Sequence, residues 1–229
     1  MDKFSLYELL SFIIPGFTAI AIFKLIFNLI FGCSVFEFSE NNFIIILLLT
    51  SIALCLGVLL QIISFRILDW KRFKWFREIV YQSADKIKSK SNHLSKIFPY
   101  LNERNEKIGK HHVQNELSID DIFHMAYYYL ETNEKIGPTK NFQSLYFWLR
   151  NTSTLCMIYF PISLIIFIIV LISDNPEYSM MNAFIFIISD IGLFLLLLIP
   201  TKWLREKMTI KLFWSYYSEL IHQENQNSK

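Results

Sequence analysis

Charge is scarce in this chain. Asp, Glu, Lys and Arg make up 18% of its 229 residues, against about 25% in a typical soluble domain. The signs nearly balance, 22 Lys and Arg against 20 Asp and Glu. That balance excludes a strongly basic nucleic-acid module, and nucleic acid is not expected as a partner. Low charge with high apolar content also excludes a disordered chain. Glycine is equally sparse, with six residues scattered along the chain. No Walker loop or dinucleotide fingerprint can be built from them, so no phosphate cradle is expected. Three cysteines cannot close a disulfide framework. Cys55 and Cys156 lie in apolar runs and Cys33 ends one, so all three read as small hydrophobes. HExxH and CxxC are missing, and no Ser, Cys or Lys nucleophile stands in a recognisable motif. The expectation is a non-enzyme with no metal and no cofactor.

What the chain has in excess is apolar bulk. Hydrophobic residues reach 53% and phenylalanine alone contributes 22. They gather in four runs, Leu9–Phe31, Phe43–Phe65, Thr154–Ser173 and Met181–Pro200. Each has about 20 residues, the length of helix that crosses about 30 Å of hydrocarbon. Backbone amides in that slab must bond within the chain, which makes each run a helix. The expected fold is all-α: an integral membrane protein with four transmembrane helices and a helical cytoplasmic layer. The first run is too long for a cleavable signal peptide, carries Lys24, and has no small-x-small cleavage site.

Charge placement predicts the orientation. The links at 32–42 and 174–180 hold Glu37, Glu40, Asp174 and Glu177 and no Lys or Arg. Nearly all Lys and Arg lie between the second and third runs or after the fourth. The positive-inside rule then predicts a multi-pass protein of the cell's inner (plasma) membrane with both termini and the central segment in the cytoplasm. Trp70, Trp148 and Trp203 flank the inner ends of the spans, where amphipathic rings favour the interface. Four regions follow: 1–68 with the first helix pair, 69–152 cytoplasmic, 153–200 with the second pair, and 201–229 as a cytoplasmic helix and tail.

The cytoplasmic segment opens with a basic, aromatic stretch holding Lys71, Arg72, Lys74 and Arg77. It either lies on an anionic leaflet or extends the second span. Pro99 and Gly109 read as breakers. Ser118 with Asp121 three residues later resembles a capping box at the start of a helix over Ile119–Leu130. Gly137–Pro138 ends this region, and Asn141–Arg150 leads into the third span. The tail over Lys202–His222 is helix-compatible and should pack on the central helices, with its last seven residues frayed.

Polar residues inside the spans are the sharpest candidates. Asp190 lies near the middle of the fourth run, and Lys24 about 6 Å beyond the middle of the first. Either charge alone is costly in hydrocarbon, so the expectation is that Lys24 and Asp190 meet, as a pore-lining site or as an ion pair fixing register. The alternative is that Lys24 snorkels outward. Asn28 and Gln61 add hydrogen-bonding capacity. Pro15, Gly16 and Pro161 read as helix breaks. Arg104 and His111 form an Arg-x6-His pair that resembles the motif of HEPN ribonucleases, although Gly109 between them weakens the helix that motif needs. Asn151-Thr152-Ser153 is a sequon on the cytoplasmic side and is assigned no glycan.

The opening Phe4–Phe17 stretch, FSLYELLSFIIPGF, with LCLGVLLQIISF in the second run and Phe147–Asn151 entering the third, resembles a loose group of small bacterial membrane proteins. Gln61 stands where that group would carry a His. The layout is similar to the four-span membrane subunit of the Kiwa system and to membrane accessory proteins of RNA-targeting CRISPR systems. The resemblance implies a defence-linked membrane sensor or effector. Four short-linked spans leave no wide lumen, so a channel-like role requires a homo-oligomer in membrane lipid. The alternatives are an anchor that recruits a soluble cytoplasmic partner, and a membrane-tethered ribonuclease.

Overall fold

The computed structural model describes residues 6–31, 43–109, 118–172 and 180–227. These are helical apart from short connections, with no strand among the described residues. The helices are α1 (Leu6–Phe31), α2 (Phe43–Asp69), a short 3-10 turn (Lys71–Phe73), α3 (Lys74–Val80), α4 (Ala84–Lys90), α5 (Asn92–Gly109), α6 (Ile119–Thr132), α7 (Gly137–Ile172) and α8 (Met180–Asn227). Four of them, α1, α2, α7 and α8, are long and apolar enough to cross a membrane.

The chain divides into two compact units. The first comprises residues 1–76 and 144–201, and the second 77–143 and 202–229. The break before the third span thus falls at 143/144 rather than at 152. Residues 149–156 are all buried, and they belong with the spanning helices.

In the first unit α1 and α2 cross at van der Waals contact. A Cβ on Gly16 would overlap the Ala53 carbonyl and lie 2.8 Å from its Cα. One on Gly57 would overlap the Phe12 carbonyl and lie 2.9 Å from its Cα. Ala53 and Gly57 form a small-xxx-small pair, the pattern that lets membrane helices approach closely. Gly16 is therefore a packing residue, not a break. Pro15 sits inside α1 and Pro161 inside α7 without ending either helix. Pro99 and Pro200 are likewise interior to α5 and α8.

The basic stretch does not extend the second span. α2 stops at Asp69, and Trp70 is extended at φ −77° and ψ 123°. Lys71, Arg72, Lys74 and Arg77 are exposed. Trp75 and Phe76 each bring a ring 6.2 Å from that of Phe194 on α8. The aromatic residues of this stretch, rather than its charges, attach it to the first unit.

The second unit has its own core. Leu94, Ile97, Phe98 and Leu101 of α5 follow the i, i+3, i+4, i+7 spacing of one helical face. They pack with Ile122, Phe123, Ala126 and Leu130 of α6 and with Met208, Leu212, Phe213, Tyr216 and Leu220 of α8. The capping box is present. Asp121 N–H donates to Ser118 Oγ at 3.1 Å, and the Asp121 carboxylate accepts from Ser118 N–H at 3.0 Å. The neighbouring Asp120 accepts from Ala84 N–H at 3.0 Å, capping α4 from outside. Gly137, expected to end a region, begins α7. Of the last seven residues, expected to fray, 223–227 are described and belong to α8. α8 continues to Asn227, and Gln223 Nε2 donates to the Tyr129 hydroxyl.

Candidate functional site: the buried polar core of the four-helix unit

Leu149 through Cys156 form an unbroken run of eight buried residues on α7. At 100° per residue such a run passes more than twice around the helix. This stretch of α7 is enclosed by protein on every side, and five of its residues, Arg150 to Thr154, are polar. Arg150 is 1% exposed. Its guanidinium lies 4.2 Å from the Phe65 ring centre, 4.8 Å from Phe147 and 5.5 Å from Tyr146. Stacking on ring faces recovers part of the hydration that burial removes. The second unit repeats the device: Arg205, also buried, lies 4.4 Å from Tyr81 and 4.9 Å from Phe123.

Three hydroxyls in the run turn back on their own helix. Thr152 donates to the Trp148 carbonyl at 2.9 Å, Ser153 to Leu149 at 2.8 Å and Thr154 to Arg150 at 3.0 Å. Asn151 breaks the pattern. It is fully buried, and neither its amide nitrogen nor its oxygen has a hydrogen-bond partner in the protein. On α2 the fully buried Ser64 hydroxyl is in the same condition. So are the side-chain oxygens of Gln61 and Asn28, two of the intramembrane residues singled out by sequence.

Asp190 is 8% exposed in the interior of the first unit. The side chain that meets its carboxyl is the Cys156 thiol, within hydrogen-bonding reach. The sequence pointed to Lys24 as the partner; Lys24 is half-buried on α1. Cys156 was taken for a small hydrophobe because its neighbours are apolar. Its polar role becomes visible only when α7 and α8 lie side by side. Tyr159, one turn further along α7, donates from its hydroxyl to the Ala19 carbonyl of α1 at 3.2 Å. Ser163 follows, donating to the Tyr159 carbonyl at 2.8 Å. Ser51 of α2 donates to its own helix at the Leu47 carbonyl, 2.9 Å away.

Sequence reasoning missed Arg150 and Asn151 as interior residues. It counts Arg150 among the cytoplasmic cations and reads Asn151 as a sequon position and as part of the Phe147–Asn151 entry to the third span. The available signal was the run Arg-Asn-Thr-Ser-Thr placed directly before a span. The side chain of Arg104 and all of His111 lie outside the described residues. No family model, curated protein or solved structure matches the chain.

Proposed function

We propose that the chain is an oligomeric membrane sensor or effector, in which the polar helical unit receives a partner or signal and the four-span unit responds. The observation that carries this reading is Asp190 held against Cys156 inside the spanning helices. An ionisable residue at depth is costly in hydrocarbon, and a chain that merely tethers something gains nothing from it. The Lys and Arg asymmetry supports a plasma-membrane location with both termini in the cytoplasm. The opening Phe4–Phe17 motif supports a bacterial anti-phage setting. Several copies around an axis supply the lumen that four helices lack. The test is membrane depolarisation in cells expressing the chain, with and without phage challenge. Wild type should depolarise on challenge and D190N should not, at equal membrane abundance. Equal depolarisation by both would reject the reading.

A second reading, an anchor that recruits a soluble cytoplasmic protein, is favoured by the self-contained core of the second unit and by its exposed aromatic residues. Tyr128 is exposed, as is Trp214, whose ring lies 6.4 Å from His93 and 5.8 Å from Tyr217. On this reading D190N retains full activity and W214A loses it.

A further inference from the structure

Buried side-chain atoms without a hydrogen-bond partner stand on both α2 and α7, at Gln61 and Ser64 on the first and at Asn151 on the second. Leu60 of α2 and Leu155 of α7 lie in the same buried cluster with Ala19. The Phe65 ring lies 4.2 Å from the Arg150 guanidinium. Residues 60 and 155 share this cluster and residues 65 and 150 touch, an order that fits helices running in opposite senses. Ser64 is one turn beyond Leu60 on the same face, and Asn151 is one turn before Leu155 on the same face. That register puts Ser64 and Asn151 in the same layer, between the shared cluster and the Phe65–Arg150 contact, with Gln61 beside Leu60 at its edge. Both residues are fully buried, yet Ser64 Oγ and both amide atoms of Asn151 bond to nothing in the protein, including each other. Polar groups that share a buried layer without touching are the setting in which a third molecule bridges.

The donor and acceptor pattern selects the molecule. A bare cation would suit Asn151 Oδ1, Gln61 Oε1 and Ser64 Oγ, but would meet Asn151 Nδ2 and the positive charge of Arg150. An anion would suit those two groups and be repelled by the amide oxygens. A small neutral molecule that both donates and accepts satisfies all of them. We infer that Ser64, Gln61 and Asn151 bind water, forming a hydrated layer inside the four-helix unit. This layer lies five residues before Cys156 along α7, about 7.5 Å. Resting on the effector reading above, it supplies the water access through which Asp190 exchanges its proton.

The test is water-edited solid-state NMR on the full chain in bilayers, with asparagine labelled in nitrogen-15. Assignment uses through-bond correlations in the wild-type protein, so no variant has to fold. The Asn151 side-chain amide should gain water magnetisation within a factor of about two of the exposed Asn133 amide. In S64A, which removes one ligand of the water, the same signal should build up more slowly. Build-up at Asn151 as slow as that of the buried backbone amides around it would overturn the inference. The readout is independent of ion leakage: a dry Asn151 in a protein whose depolarisation needs Asp190 defeats the hydrated layer alone. A wet Asn151 with no depolarisation defeats the effector reading alone.

Discussion

Gly16 lies against the backbone of Ala53 so closely that a single added methyl would overlap the Ala53 carbonyl oxygen. Gly57 stands in the same relation to Phe12. The two contacts are reciprocal and four residues apart on each helix, so they make one crossing point. Backbone cannot yield as a flexible side chain can. G16A and G57A should each cost at least the ~1–3 kcal/mol typical of overpacking. Gly192 faces open space, and G192A should be neutral or slightly stabilising. Thermal unfolding of the three variants in detergent checks this; a G16A protein as stable as G192A would refute the crossing.

The contact between Cys156 and Asp190 makes a second prediction. C156S keeps a donor next to the carboxyl, whereas C156V removes it and leaves Asp190 buried. C156V should lose about 1–3 kcal/mol of stability, the cost of stranding a buried polar group. C156S should retain most of it. The C156V/D190L double variant, in which both polar groups are gone, should recover stability relative to C156V. Denaturant unfolding in mixed micelles compares the set.

Asp121 gives the second unit a pH dependence of known sign. Its carboxyl is held below the ordinary aspartate value of 3.8, first by the Ser118 side chain and then by the Ser118 backbone N–H. A carboxylate with a lowered folded value stabilises the fold when charged. The contribution is fully present above pH 3.8 and is lost as pH falls below that, through the folded value. D121N should lack this contribution where the wild-type carboxylate is charged, so it is the less stable protein at about pH 5 and the two converge as pH falls. Circular dichroism of thermal unfolding between about pH 5 and 2 separates the two proteins.

Glu134 adopts φ 58° in the turn between α6 and α7. Its neighbour Lys135 donates its N–H to the Leu130 carbonyl at 2.8 Å, so the turn is closed by the backbone. A left-handed conformation strains a residue with a Cβ by roughly 1–2 kcal/mol, and glycine escapes that strain. E134G should raise stability by about 1 kcal/mol, after allowing for the entropy of glycine in the unfolded chain. E134A should gain nothing. Paired unfolding curves settle the order.

The legible parts of this protein are those written in local sequence. Each of the four apolar runs states its own length and hydropathy, and all four lie in helices long and apolar enough to cross a membrane. Ser118 and Asp121 are three residues apart, so their reciprocal cap could be read without knowing any other contact. The buried face of the C-terminal helix, Leu204, Met208, Leu212 and Tyr216, is likewise visible from 3.6-residue spacing. Pro15 and Pro161 lie inside long apolar helices that continue past them, because hydrocarbon favours an intact helix by more than the one backbone bond each proline removes. The tail misled because Gln223 finds Tyr129, a residue 94 positions away.

Hydropathy and periodicity alone therefore determined the helical class of the described residues and the four helices long and apolar enough to cross a membrane, because hydrocarbon leaves the backbone of such a run no other way to satisfy its amides. Tertiary structure decided the rest of the site. It alone placed Gly16 on Ala53, turned Arg150 inward beside Phe65, buried Asn151, and gave Asp190 to Cys156. Each is a meeting between side chains or backbones far apart in sequence. Its geometry depends on how the helices cross and in what register, and no local pattern encodes that.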